Sequence, residues 1–161
     1  MKKDSSVTRT ADGRVVDKNS NFAWFVGTLD EANAFIGLAK VFSKDDAVKT
    51  ALAEVQRRLF VLGVEPVRKT LKDDDYEWLL SVIEDFEKAV KKPNSFIILE
   101  KDQPTAFLSV ARAVVRRAER YAVRLYREGV LGMNAVEWLN KLSYLLYLMI
   151  LKEGDGDFEK I

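Results

Sequence analysis

Apolar residues along this chain recur at three- and four-residue intervals between short polar stretches, and strict alternation is not sustained. That period is helical, and it predicts five helices. The first runs from about Thr28, where Thr28 and Glu31 have capping-box spacing, to about Phe42. Ser43 opens the second, whose stripe of Ala47, Leu52, Val55, Leu59 and Leu62 closes at Gly63. Thr70 with Asp73 begins the third, which carries Tyr76, Leu79, Leu80, Val82, Ile83 and Phe86 and ends before Pro93. The fourth starts near Pro104, a residue suited to a first helical turn, and stops before Gly129. Asn134 and Glu137 open the fifth, which reaches Gly154.

Long helices with short connections predict an all-α, up-and-down five-helix bundle with a four-helix-bundle core, ferritin-like in appearance. The bundle is expected over residues 22–154. Residues 1–21, rich in Ser, Thr, Asp, Gly and Lys, read as an N-terminal arm that orders against something else, and 155–161 as a C-terminal tail. Ser95 to Leu99 is apolar and β-leaning but has no partner strand in sequence, so a buried loop is expected there.

Composition narrows the chemistry. The chain has 161 residues, no Cys and no His, and 26 basic against 25 acidic side chains. One domain fits that length. Near-neutral charge removes the general electrostatic argument for nucleic acid or an anionic membrane. Thiol and imidazole chemistry are excluded, so any metal would be a hard, oxygen-bound ion, whose ligands the sequence leaves unknown. The most apolar run, Leu142 to Leu151, is about half of the ~20 residues that a membrane span needs. The basic start is followed by polar residues rather than an apolar segment, so a cytoplasmic protein is expected.

The informative stretch is Val110 to Arg120. At ~100° per residue, Arg112, Arg116, Glu119 and Arg120 share one helical face, and Leu108, Ala111, Val115, Ala118 and Ala122 fill the adjoining arc. Arg grips phosphate oxygens in a two-pronged geometry, so the cluster suits a polyphosphate. The same spacing also suits an ion-pair lattice between Glu119 and its Arg neighbours. Asp30, Asn33, Ala34 and Gly37 share a face of the first helix; Asp30 suits either a counterion for an Arg or a partner for the helix dipole. Asn140 stands in the otherwise apolar stretch Trp138 to Leu142, where its amide suits either a core hydrogen bond or a ligand contact.

Taken in order, Gly27 to Ala39, Val55 to Gly63, Phe96 to Leu99, Ala111 to Arg120 and Trp138 to Ser143 resemble the successive signatures of the PduO-type ATP:cob(I)alamin adenosyltransferases. The resemblance covers about Thr8 to Leu151. It implies a homotrimer with ATP and cobalamin, or another corrinoid, bound between subunits, and transfer of the 5′-deoxyadenosyl group of ATP to cobalt with release of triphosphate. Reduced cobalt would be the nucleophile, and the protein would position the substrates and exclude water.

By the same resemblance, Arg116, Glu119 and Arg120 are nucleotide contacts, and Arg112 pairs across the subunit boundary with Asp30. Phe96 closes over the corrin and helps remove the lower cobalt ligand, with Asn33 on the corrinoid side. Asn140 is the cleft amide near the nucleotide. Thr8, Arg9, Thr10 and Lys18 belong to the arm that folds over the triphosphate and its Mg²⁺. A reductase and an adenosylcobalamin-dependent acceptor are implied partners.

Three features depart from the family pattern. Ala11 to Asp17 is short and has one Gly, Glu100 to Gln103 replaces a Pro-Gly-Gly turn, and Tyr144 stands where an acidic residue is usual. They favour, as the alternative, a non-catalytic relative that binds ATP or corrinoid as a sensor or carrier.

Overall fold

The computed structural model describes residues 4–161. Strands β1 (Val7–Arg9) and β2 (Val15–Asp17) pair antiparallel as a hairpin, with Val7 opposite Asp17 and Arg9 opposite Val15. The helices are α1 (Asn21–Phe42), α2 (Asp46–Arg68), α3 (Asp73–Ala89), α4 (Gln103–Arg127) and α5 (Met133–Glu153). The five-helix reading holds, and several ends differ from expectation for identifiable reasons.

Helix α1 starts at Asn21 rather than Thr28. Ser20 caps it, accepting the Ala23 N–H at 3.2 Å, while Thr28 is buried within the helix and donates its hydroxyl to the Trp24 carbonyl at 2.6 Å. A Thr bonded four residues back satisfies its hydroxyl without capping anything. Helix α2 starts behind Asp45, whose carboxylate accepts the Val48 N–H at 3.0 Å, and it continues through Gly63 and Pro66. Its far end is satisfied from outside: Thr70 donates to the Val61 carbonyl at 2.9 Å, and buried Glu65 accepts the Leu71 N–H. Those tertiary partners override the Gly signal. Lys69, in the left-handed region with its N–H on the Glu65 carbonyl at 3.1 Å, closes α2, and Thr70 does not open α3, which begins at Asp73 behind Lys72. Asp102 caps α4 by accepting the Thr105 N–H at 3.1 Å, with Pro104 in the first turn.

Contacts between helix ends define the directions. Asn21 at the start of α1 meets Glu128 just beyond α4. Glu153 at the end of α5 accepts the Ser43 hydroxyl and the Lys44 N–H, both at 2.6 Å, just beyond α1. Trp138 early in α5 donates to the Asp75 carbonyl in the first turn of α3 at 3.2 Å. Thus α1, α3 and α5 run one way and α2 and α4 the other. Helix α5 is the most enclosed: Trp138, Leu139, Leu142, Leu145, Leu146, Leu148, Met149 and Ile150 are all 0% exposed. The predicted inner arc of α4, Leu108, Ala111, Val115, Ala118 and Ala122, is likewise fully buried. Its small residues let α1 and α5 approach closely.

The stretch Ser95 to Leu99 is not the buried loop expected from its apolar residues. Phe96 is 84% exposed, and Ile97 pairs with Lys160 of the tail, a partner strand that lies far away in sequence.

Removing core volume here leaves a void that the crowded helices fill poorly. Leu146→Ala is expected to lower the unfolding free energy by about 2–5 kcal/mol in urea titrations.

Candidate active site

Two clefts and an exposed loop hold the chemistry. On α4, Arg112 is half-buried while Arg116 and Arg120 are exposed. Arg112 and Arg116 line an open cleft of about 390 Å³ with Asn140, Lys141, Tyr144 and Tyr147 of α5. The Arg112 guanidinium lies 5.9 Å from the Tyr147 ring, and burial together with the adjacent Arg116 charge pushes its pKa down. Glu119 accepts the Asn140 amide N–H at 3.0 Å. Asn140 is exposed, so this bond lies at the cleft and not in the core.

The lattice reading of these charges fails. Among the described residues, Arg112, Arg116 and Arg120 have no carboxylate within ion-pair distance. Arg117, pointing from the same helix toward α1, does pair, with Glu31. The face that borders the cleft therefore carries uncompensated, mutually repelling charge, which a bound anion would relieve.

At the cleft rim Tyr144 donates its hydroxyl to Glu87 of α3, and Lys92 reaches the same carboxylate at 2.8 Å while lying 5.2 Å from the Tyr144 ring. Lys92 and Tyr144 hold Glu87 below the usual carboxylate range. Burial and the Glu87 contact raise Tyr144, and Glu87 raises Lys92.

A second cavity of about 350 Å³ lies between α1, α2 and the hairpin. Its polar residues are Arg9, Thr10, Asp30 and Asn33, set among apolar side chains that include Phe22, Val26, Phe60 and Val64. The Asn33 side-chain oxygen is buried there without a hydrogen-bond partner. Such a group costs roughly 1–3 kcal/mol until something binds it. The hairpin is stiffened by Thr10, which hydrogen-bonds Asp12 and the Arg14 carbonyl, and by an Arg14–Asp12 ion pair at 2.7 Å. Arg9 donates to the Gly13 carbonyl at 3.2 Å, and the hairpin is tied to α2 through Arg68 and the Ala11 carbonyl, also at 3.2 Å. Thr8 and Lys18 line the hairpin's outer recess with Arg9.

The sequence-predicted residues thus fall into separate groups within one chain. Arg112, Arg116 and Asn140 share the α4–α5 cleft, flanked by Glu119 and Arg120; Asp30 and Asn33 share the α1–α2 cavity with Arg9 and Thr10. Phe96 stands apart on the α3–α4 connection and lines neither. Asp30 and Arg112 form no ion pair within the chain. Sequence reading missed Tyr147 and Lys141, although Tyr147 follows Asn140 by two helical turns and was accessible to the same face arithmetic. Phe60 and Val64 carried no such signal, because only the packing of α2 on α1 makes their face a cavity wall.

An all-α bundle with a guanidinium-lined cleft is the class that fold and site define, and comparison with known proteins makes it specific. The family model described as cobalamin adenosyltransferase matches residues 1–153. A cobalamin adenosyltransferase of Cupriavidus metallidurans is 33% identical, over 95% of this chain and 86% of its own length. The corrinoid adenosyltransferase PduO of Salmonella typhimurium is 28% identical over 96% of this chain, which spans about half, 48%, of that relative. A variant PduO-type ATP:corrinoid adenosyltransferase from Lactobacillus reuteri, solved with cobalamin and ATP, shares the fold with a TM-score of 0.85 at 23% identity, covering 98% of this chain and 95% of that one. The chain belongs to the cobalamin adenosyltransferase family.

Proposed function

We propose that the chain transfers the 5′-deoxyadenosyl group of ATP to the cobalt of a reduced corrinoid at a site completed by two copies of itself in a homotrimer. One observation carries the reading: the unpaired Arg112–Arg116–Arg120 face and the cavity that holds Asp30 and the unpartnered Asn33 oxygen lie in different clefts of one chain. Apposing the cleft of one copy to the cavity of the next pairs Arg112 with Asp30 and leaves Arg116 and Arg120 for the triphosphate. Exposed Trp24, Leu38, Val41 and Phe60 on α1 and α2 supply apolar surface for such a contact.

In this arrangement Asn140, held by Glu119, orients the nucleotide, and Thr8, Arg9, Thr10 and Lys18 bring the hairpin over the phosphates, with the arm already formed as a hairpin over its described residues and residues 1–3 of the expected 1–21 arm outside them. Mg²⁺ arrives with the phosphate oxygens; among the described residues there is no group of three or more acidic side chains to hold it alone. Substitution at C5′ forms the Co–C bond with two electrons from cobalt and breaks the C5′–O bond, whose electron pair leaves with triphosphate. Arg116 and Arg120 stabilise that departing charge. Phe96 presents an apolar ring to the corrin, assisted by Asn33, and keeps water from the cobalt. Tyr144, at the position where the family usually has an acid, draws Glu87 to the same rim, so a carboxylate is present there after all.

No helix of the described residues is long and apolar enough to cross a membrane. We place the enzyme in the cytoplasm, where a reductase supplies the electron and an adenosylcobalamin-dependent enzyme takes the product.

Anaerobic incubation with ATP, Mg²⁺ and chemically reduced cobalamin should bleach the Co(I) absorbance and yield adenosylcobalamin; ATP binding without turnover would favour the sensor. Arg116→Ala is expected to lower kcat/KM for ATP about 10- to 100-fold, the value of a charged hydrogen bond, and unchanged kinetics would contradict the phosphate role. Phe96→Ala should lose more activity when cobalt is reduced on the protein than with pre-reduced cobalamin. By sedimentation, Asp30→Arg and Arg112→Asp should each weaken the trimer and together restore it; failure of the pair to restore assembly removes the intersubunit bridge.

A further inference from the structure

The residues after α5 are tied down. Residues 159–161 run antiparallel to Phe96 to Ile98: the Ile98 N–H donates to the Glu159 carbonyl at 2.9 Å, the Ile161 N–H donates to the Phe96 carbonyl at 3.0 Å, and the Ile97–Lys160 bridge lies between them. Among the described residues these are the backbone hydrogen bonds that the Phe96 to Ile98 stretch makes outside its own side chains. The short strand is itself anchored. Phe158 lies so close over Gly154 that a Cβ there would collide with its ring. Lys101 donates to the Gly154 carbonyl at 3.0 Å, lies 5.7 Å from the Phe158 ring and approaches the Asp157 carboxylate at 3.9 Å. Lys101 belongs to the Glu100 to Gln103 turn, one of the places where this chain departs from the family pattern.

Among the described residues, core packing reaches the Phe96 stretch only from Leu99. Behind it is a cavity of about 450 Å³ lined by Asn94, Ile97, Leu151, Phe158 and Lys160 among others. A stretch that spans open space is positioned by its hydrogen bonds, and opening it costs little beyond them. Side chains alternate along extended backbone, so with Ile97 lining the cavity the Phe96 ring is turned to the other side, where it is 84% exposed.

We infer that residues 157–161, pinned by Lys101, are a positioning strap that sets where the Phe96 ring meets the corrinoid. This rests on the function proposed above. Phe96 is the group that touches substrate; Lys101, Phe158 and Ile161 act through it.

Ile161→Pro removes the N–H bound to the Phe96 carbonyl, and Phe158→Ala removes the anchor. Both are to be measured in the full chain by hydrogen exchange at the Ile98 amide and by separate KM values for cob(I)alamin and ATP. Loss of about one hydrogen bond predicts roughly fivefold faster Ile98 exchange and a roughly fivefold higher corrinoid KM, with the ATP KM and the thermal midpoint unchanged. Ile161→Val, which keeps the N–H, should behave as the unaltered chain. An unchanged corrinoid KM, or an equal rise for both substrates, overturns the strap; Phe158→Ala carries the same readings if Ile161→Pro does not fold. An unaltered chain that fails to turn over refutes the function instead, and the exchange rate at Ile98 then decides alone whether the strand holds the stretch.

Discussion

The structure turns on the two sides of α4. One side is built from Ala111, Ala118 and Ala122 with Leu108 and Val115, small enough to seat the helix deep between α1 and α5. The adjoining side carries Arg112, Arg116 and Arg120. Seating the helix deeply brings those guanidiniums to the edge of the core, where burial already disfavours the charge of Arg112. Among the described residues no carboxylate lies within ion-pair distance of these three guanidiniums, so water and, for Arg112, the Tyr147 ring face them instead. Arg117 shows the contrast: a turn away, facing α1, it finds Glu31. The unpaired face is the physical reason to look for a bound anion, and family membership says which one to test first.

The same logic explains why one copy of the chain looks incomplete. Its negative and amide groups, Asp30 and Asn33, line a cavity on another side of the bundle, and the Asn33 oxygen is buried without a donor. This cavity and the arginine cleft are the two surfaces that the proposed intersubunit site would bring together. Apolar side chains exposed on α1 and α2 fit the same picture, since a surface helix that faced only water would carry polar residues there.

At two of the positions where the resemblance implies a departure from the family pattern, the side chain reaches a distant part of the chain. Tyr144 lacks a carboxylate but hydrogen-bonds one from α3, and Lys92 balances its charge. The turn after Leu99 lacks the flexible glycines, yet its Lys101 holds the tail against Gly154. Both exchanges trade a local backbone or side-chain feature for a contact distant in sequence.

Helical periodicity determined the order of the five helices, the buried arc of α4 and the shared face of its arginines, because each depends on spacing along a helix, but it gave no sign of the β1–β2 hairpin. Arg112 and Arg116 of the cleft were legible for the same reason, whereas Lys141 and Tyr147 join them only because α5 packs beside α4. Spacing could not decide whether Glu119 served the arginines or Asn140, since that choice is made by which side chain α5 brings within reach. Nor could it show that Thr28 lies inside a helix, that α2 runs past Gly63 to close at Lys69, or that Phe96 to Ile98 finds a strand in the tail. The first two are settled by hydrogen bonds to near neighbours whose competition spacing does not rank, and the third by a strand about 60 residues away that only the folded arrangement brings there.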